Sequence, residues 1–344
     1  MSNATNITEA EDSKTAILLL AHGTPDSLDE IPAYLNNVTG GRPIPDAAVE
    51  EIRHRYSLIA PKDISSDGPS GRRAEISPLT RLTLQQGRLL EERLGLPVYV
   101  GMRNWSPYIA DVVRQMIDNG ITSAVAICLA PQNSRTSVGL YRRALLTAAG
   151  DAIRIEFIAG WADHPLLADA FAERLRPVLE RVAAEVKGPV PVLFTAHSVP
   201  CRTVQTQPGQ APDPYSVEAK ATAALVANRL GLSEEEWFFA FQSQGISGGP
   251  WIGPTVEDSL TAIHQQGSRA VIVQPIGFLC DHVEILYDID IAFRRFASAL
   301  GLRLERPESL NGSPLLISAL ADLVRAGMAR LETQQAASTV AVVS

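Results

Sequence analysis

Residues 190–200 read VPVLFTAHSVP, and this stretch decides the fold. An apolar, largely β-branched or aromatic run ends abruptly in Thr195, His197 and Ser198, and Pro200 then halts regular structure. A strand with no polar alternation buries both faces, which is the mark of a parallel sheet covered by helices. In open sheets of that kind ligands bind beyond the carboxyl ends of the strands, so His197 stands where chemistry is expected. A neutral imidazole there is a base that works near pH 7. The plain alternative is a structural histidine hydrogen-bonded at a buried strand end.

The same pattern repeats in both directions. Strands are predicted at Ala16–Ala21, Val98–Gly101, Ala124–Leu129 and Ile153–Ile158, with helices at Leu28–Val38, Asp46–Leu58, Leu79–Leu94, Pro107–Asn119 and Val138–Ala148. A second series places strands at Val190–Thr195, Trp237–Phe241, Ala270–Gln274 and Leu302–Arg306, and helices at Pro165–Val186, Pro214–Leu230, Val256–Gln266 and Val283–Leu300. The predicted class is α/β: two Rossmann-like lobes with parallel sheets flanked by helices, over residues 15–160 and 161–312. Residues 313–344 then form a docking helix, Pro314–Leu331, and a loose tail. A chain of 344 residues suits two domains of about 150 each. Ala60–Glu75, rich in Pro, Gly, Ser and Asp, reads as a surface loop at the cleft edge.

Composition removes several classes. With 46% hydrophobic and 20% charged residues the chain is neither disordered nor fibrous. A net charge of −8 and the lack of a long basic run argue against nucleic acid. The polar, acidic N-terminus is unlike a signal peptide, and no apolar run reaches the roughly 18 residues needed to span a bilayer. A cytoplasmic protein without an integral membrane span is expected. Cys128, Cys201 and Cys280 lie too far apart for a CxxC site, and neither a GxGxxG fingerprint after a strand nor a P-loop is present.

Three other strand ends carry polar residues. LLLAHGTPD (18–26) delivers His22 to the crevice, with Pro25 suited to a helix start. VIVQPIGFLCDHVEILYDID (271–290) runs into a helix on which Glu284 and Asp288, four apart, share a face; Asp281 is placed to cap it. Acids one turn apart form either a solvated face or a seat for a hard divalent cation. AICLAPQNSRTSVGLYRRA (126–144) offers hydroxyl and amide donors that either cap a helix or meet an anion.

These segments, in this order, together with HRYSLI (54–59), ISPLTRLT (76–83), GMRNWSPYI (101–109), TAHSVP (195–200), DPY (213–215) and QSQGISGGPWIGP (242–254), resemble the ferrochelatase family from about Ala16 to Val324. TAHSVP and DHVEILYDID form the strongest pair. The resemblance implies an enzyme of heme biosynthesis that inserts Fe2+ into a porphyrin, a lyase forming metal–nitrogen bonds. It implies His197 and Glu284 as the catalytic pair across the macrocycle, either of them base or iron ligand, with Asp288 extending the acidic track. The position four after Asp288, acidic in many relatives, is Ala292 here.

By the same resemblance His22, Arg55, Tyr56, Ser77 and Tyr141 contact porphyrin, aided by Arg103 and Asn104. The opening motif and GGRPIP (40–45) are most similar to the branch acting on coproporphyrin III, in which a tyrosine commonly holds the His22 position as axial ligand; Thr39 stands where an arginine is often found. Protoporphyrin IX is the alternative substrate, and a non-catalytic tetrapyrrole or heme carrier is the alternative of another class. No cofactor beyond substrate Fe2+ is implied. No cysteine follows Cys280, so no iron–sulfur cluster is expected. A partner that receives the product completes these expectations.

Overall fold

The computed structural model describes residues 14–60, 76–205, 209, 211–245 and 249–343, with side chains described through residue 336. The loop expected at Ala60–Glu75 lies almost wholly outside the described residues.

Two four-stranded parallel sheets form. The first contains β1 (Lys14–Ala21), β2 (Val98–Met102), β3 (Ile121–Cys128) and β4 (Arg154–Ile158); the second contains β5 (Val192–His197), β6 (Trp237–Gln242), β7 (Ala270–Pro275) and β8 (Arg303–Glu305). The strand orders are β2-β1-β3-β4 and β6-β5-β7-β8, the same topology twice. In each sheet the order reverses beside the first strand, and the crevice of a doubly wound fold opens at that switch point.

Period-2 alternation partitions the core. Ala16, Leu18 and Leu20 of β1 face Val112, Val113 and Met116 of helix Ile109–Asp118 and Leu145 of helix Val138–Ala149. Ile17 and Leu19 face the other way, into a core shared with Phe171, Phe194, Leu316 and Leu320. That shared core, filled by helices Pro165–Val186 and Pro314–Val343, joins the two lobes. The C-terminal helix lies close enough to β3 that a Cβ at Gly327 would stand 2.7 Å from Val125 Cγ1.

Four sequence expectations are corrected. Val283–Leu300 is not one helix: an α-turn over Val283–Leu286 passes into a π-helical segment, Asp288–Phe293, before α-helix resumes at Arg294–Ala299. The Ala292 N–H reaches back five residues to Tyr287 O (2.9 Å), so the regular α-helical ladder expected through Leu300 is interrupted just after Asp288. Asp281 does not cap this segment; its carboxylate accepts from Ser309 Oγ (2.7 Å) and Asn311 Nδ2 (2.9 Å). Pro25 starts no helix: the first turn is the 3-10 segment Leu28–Glu30, where Glu30 Oε2 accepts from the backbone N–H groups of Asp26 (2.9 Å) and Ser27 (3.1 Å). The tail after Leu331 continues as helix to Val343, and Gln335 accepts from Arg154 (3.0 Å).

Arg306 braces the irregular helix from below. Its side chain is 10% exposed and donates twice to Asp290 (2.9 and 2.7 Å), with Asp281 at 3.4 Å. Arg306→Ala leaves two acids on one network without their cation, and urea unfolding should report a loss of about 3 kcal/mol.

Candidate active site

The carboxyl ends of β1 and β3 in one lobe and of β5 and β7 in the other open into one cavity of about 1330 Å3, mouth included. His22, Thr24, Tyr34, Tyr56, Arg103 and Tyr141 line it from the first lobe; His197, Tyr215, Phe278, His282 and Glu284 line it from the second. Apolar walls with a few convergent polar groups suit a largely apolar small molecule held by a few polar contacts.

His197 ends β5, and β6 pairing fixes it opposite Gln242. Its Nδ1 donates to the Ser198 carbonyl, and its backbone carbonyl accepts from Tyr215 Oη (2.8 Å). The donated Nδ1 proton leaves Nε2 pointing at Glu284 Oε1, 3.4 Å away. His282 is built the same way: Nδ1 donates to Cys280 O (2.9 Å) and Nε2 lies 3.5 Å from Glu284 Oε2. Each imidazole is thus oriented by a backbone carbonyl toward one shared carboxylate, an arrangement that also orients histidine ligands around metals. Among the described residues, no group of three or more His, Cys, Asp and Glu forms a ready metal cage.

Burial alone would push the Glu284 carboxyl up and the His197 ring down. The attraction between them and the hydrogen bonds from both histidines reverse each effect, so Glu284 is held well below the usual carboxylate range and His197 is raised above 6.5.

Asp288 does not line the main cavity. It faces an adjoining one with Arg55, Ser243, Glu257 and Asp258, accepts from Ser243 Oγ, and lies 3.7 Å from Arg55 Nη1. Burial and the nearby Glu284 charge raise it to about 6 against the opposing Ser243 hydrogen bond. Gln242 joins the two cavities: it accepts from Thr195 Oγ1 (2.6 Å) and donates to Glu284 O (2.8 Å).

On the opposite wall His22 directly follows β1, and the next residue, Gly23, has a φ of +83° and a close approach to Trp105 N that exclude any side chain. Burial, then Arg103, lower the His22 pKa to about 4, so the ring is neutral. Tyr56 Oη is 3.0 Å from Thr24 Oγ1. Arg103 lies over the Tyr141 ring (5.4 Å), has no ion pair among the described residues, and its Nε lacks a hydrogen-bond partner. Ser137 opens helix Val138–Ala149 without a side-chain cap bond, and Ser134, Thr136 and Ser137 line the same wall.

Of the residues expected from sequence, His22, Tyr56, Tyr141, His197 and Glu284 therefore share one cavity, and Arg55 and Asp288 share the next. Ser77 is buried, outside both linings, and its hydroxyl has no partner among the described residues.

The family model for ferrochelatase matches residues 14–328. The chain belongs to the ferrochelatase family. A ferrochelatase of Acidobacterium capsulatum is 63% identical over 335 residues, covering 94% of this chain and 98% of the relative. One of Deinococcus radiodurans is 38% identical, covering 90% and 94%. A relative from Geobacillus sp. strain WCH70, named coproporphyrin III ferrochelatase, is 32% identical, covering 90% and 97%. Among solved structures, the cobalt complex of the sirohydrochlorin chelatase SirB from Bacillus subtilis subspecies spizizenii superposes with a TM-score of 0.53 at 13% identity, over 93% of this chain and 98% of that one. That likeness concerns the two-lobed fold. The ferrochelatase is a porphyrin metal-chelating enzyme, and no helix among its described residues is long and apolar enough to cross a membrane.

Tyr34, His282 and Tyr215 line the cavity beyond the residues expected from sequence. His282 stands two before Glu284, a His-x-Glu spacing visible in the chain. Tyr34 occupies one position of an amphipathic helix and carries no local signal.

Proposed function

We propose that this ferrochelatase inserts ferrous iron into coproporphyrin III, with Glu284 directing the metal and His197 accepting pyrrole protons. The facing of His197 Nε2 and Glu284 Oε1 across 3.4 Å inside the cavity carries this reading. Insertion needs both functions at one point, because two N–H protons leave the macrocycle as a hydrated cation sheds water. A ferrous ion engaging Glu284 offsets the charge that raises the His197 pKa and favours its protonated form. Metal arrival at one residue thereby readies the other as a base. Asp288, titrating near 6, is suited to passing protons from the inner cavity toward the outer one. Neutral His22 on the far wall is an axial ligand for the product iron.

Arg103, without a carboxylate partner among the described residues and on one cavity wall with three hydroxyl residues, supports a substrate rich in carboxylates, since charge-assisted bonds to propionates would satisfy it. The name of the Geobacillus relative supports the same substrate.

Anaerobic turnover with ferrous iron should show kcat/KM at least roughly tenfold higher for coproporphyrin III than for protoporphyrin IX, and Arg103→Ala should erode that preference. Equal or inverted preference sinks the substrate assignment and leaves the catalytic pair untouched. Spectra that stop at one bound equivalent per chain would instead mark a carrier.

A further inference from the structure

His22 is held by two neighbours that the reaction as described leaves idle. Tyr34 Oη lies 3.1 Å from its Nε2. Asn104 Nδ2 lies 3.0 Å from Nε2 and 3.2 Å from Nδ1. Both partners are themselves fixed. Tyr34 is 8% exposed and edge-on to His22 on one side and to Trp105 on the other, each at 6.2 Å. It packs in one buried cluster with Tyr56, whose hydroxyl is 3.0 Å from Thr24 Oγ1. Asn104 is anchored at its backbone, donating to His22 O (2.9 Å) and accepting from Asn37 Nδ2 (3.1 Å).

A neutral imidazole has one N–H and one lone pair. A lone pair that accepts a hydrogen bond is not free for a metal, and an N–H must lose or shift its proton first. Whichever tautomer is present, iron can take Nε2 only after the Tyr34 contact is given up. An enzyme with a strong, uncontested axial histidine would retain its product.

We infer that Tyr34 is a positioning residue that competes with iron for His22 and so speeds release of the metallated porphyrin. The inference rests on His22 being the axial ligand. The phenol ring sets the imidazole orientation, and the hydroxyl weakens the iron–histidine bond by offering the nitrogen another partner.

The test uses the full chain loaded with ferric coproporphyrin III in four forms: wild type, Tyr34→Phe, His22→Ala and the double variant. Electron paramagnetic resonance reads the axial ligand, and stopped-flow transfer to excess serum albumin reads release. Tyr34→Phe, which keeps the ring, should release product roughly fivefold more slowly, the size of one ordinary hydrogen bond, with a histidine signature retained. His22→Ala should lose that signature and release faster, and adding Tyr34→Phe to it should change nothing. Release from Tyr34→Phe as fast as or faster than wild type, or the same slowing in the His22→Ala background, overturns the role of Tyr34. Identical axial signatures in wild type and His22→Ala overturn the ligand reading instead.

Discussion

His197→Ala lowers kcat for iron insertion roughly 10^3-fold while leaving porphyrin affinity within a few-fold of wild type. Removing a positioned general base costs on the order of 10^2 to 10^4 in rate, and His197 is the imidazole that meets Glu284 at the strand end. The ring is one-third exposed to the cavity, so its loss leaves no closed void in the core. The thermal midpoint should therefore move little. His282 has its Nε2 on the same carboxylate but belongs to a different loop, and it does not stand at the position His197 vacates. Anaerobic absorption kinetics for turnover and fluorescence quenching for porphyrin binding separate the two effects. A fall in affinity that accounts for the whole loss would make His197 a porphyrin contact and not a base.

Glu284→Gln has two expected consequences, and the second is the more telling. Turnover falls roughly 10^2-fold, because the neutral amide no longer draws a cation to the macrocycle. The pH dependence of the residual activity also moves. In the wild type the Glu284 charge raises His197 above 6.5, so the base becomes available only as pH climbs through that raised value. Without the charge, burial dominates and the His197 pKa falls, so the rise in kcat/KM with pH shifts to lower pH. Stability follows the same pair with the sign worked out. The raised His197 stabilises the fold fully below pH 6.5, and that contribution is lost as pH rises through the folded value. The lowered Glu284 contributes above pH 4.5 and loses its share as pH falls. These are two views of one interaction, present between the two limits. Glu284→Gln should flatten this dependence in urea titrations across the window; a profile that stays in place would deny that Glu284 sets the His197 proton.

Much of the fold was legible because a buried parallel strand leaves an unmistakable apolar run. LLLA before His22, AVAIC before Leu129, VLFTA before His197 and VIVQ before Pro275 each give a strand and its functional end together. The repeat of strands and helices in the two halves was legible, whereas the shared strand order appears only in the structure. What failed was local winding. Val283–Leu300 has continuous helical composition, and no residue in it announces that the chain adds a wide turn at Asp288–Phe293. That turn depends on tertiary partners such as Arg306, which approaches from beyond β8. Asp288, where that turn begins, lines the outer cavity and not the inner one. Asp281 misled for a similar reason, since a cap and a long-range carboxylate network ask for the same residue type. The opposition of His197 to Glu284 is legible in family resemblance but not in spacing, because 87 positions of chain separate residues brought 3.4 Å apart. Tyr34 and Asn104 were hidden as ring partners of His22 because their roles exist only after three separate segments converge.

The most direct measurement of the central claim places limiting enzyme with excess ferrous iron and coproporphyrin III under anaerobic conditions and follows the porphyrin spectrum, wild type beside His197→Ala. Wild type should convert many equivalents per chain, and His197→Ala should bind the porphyrin yet convert it about a thousandfold more slowly. Conversion by His197→Ala at the wild-type rate would contradict the pairing of His197 and Glu284 as the machinery of insertion.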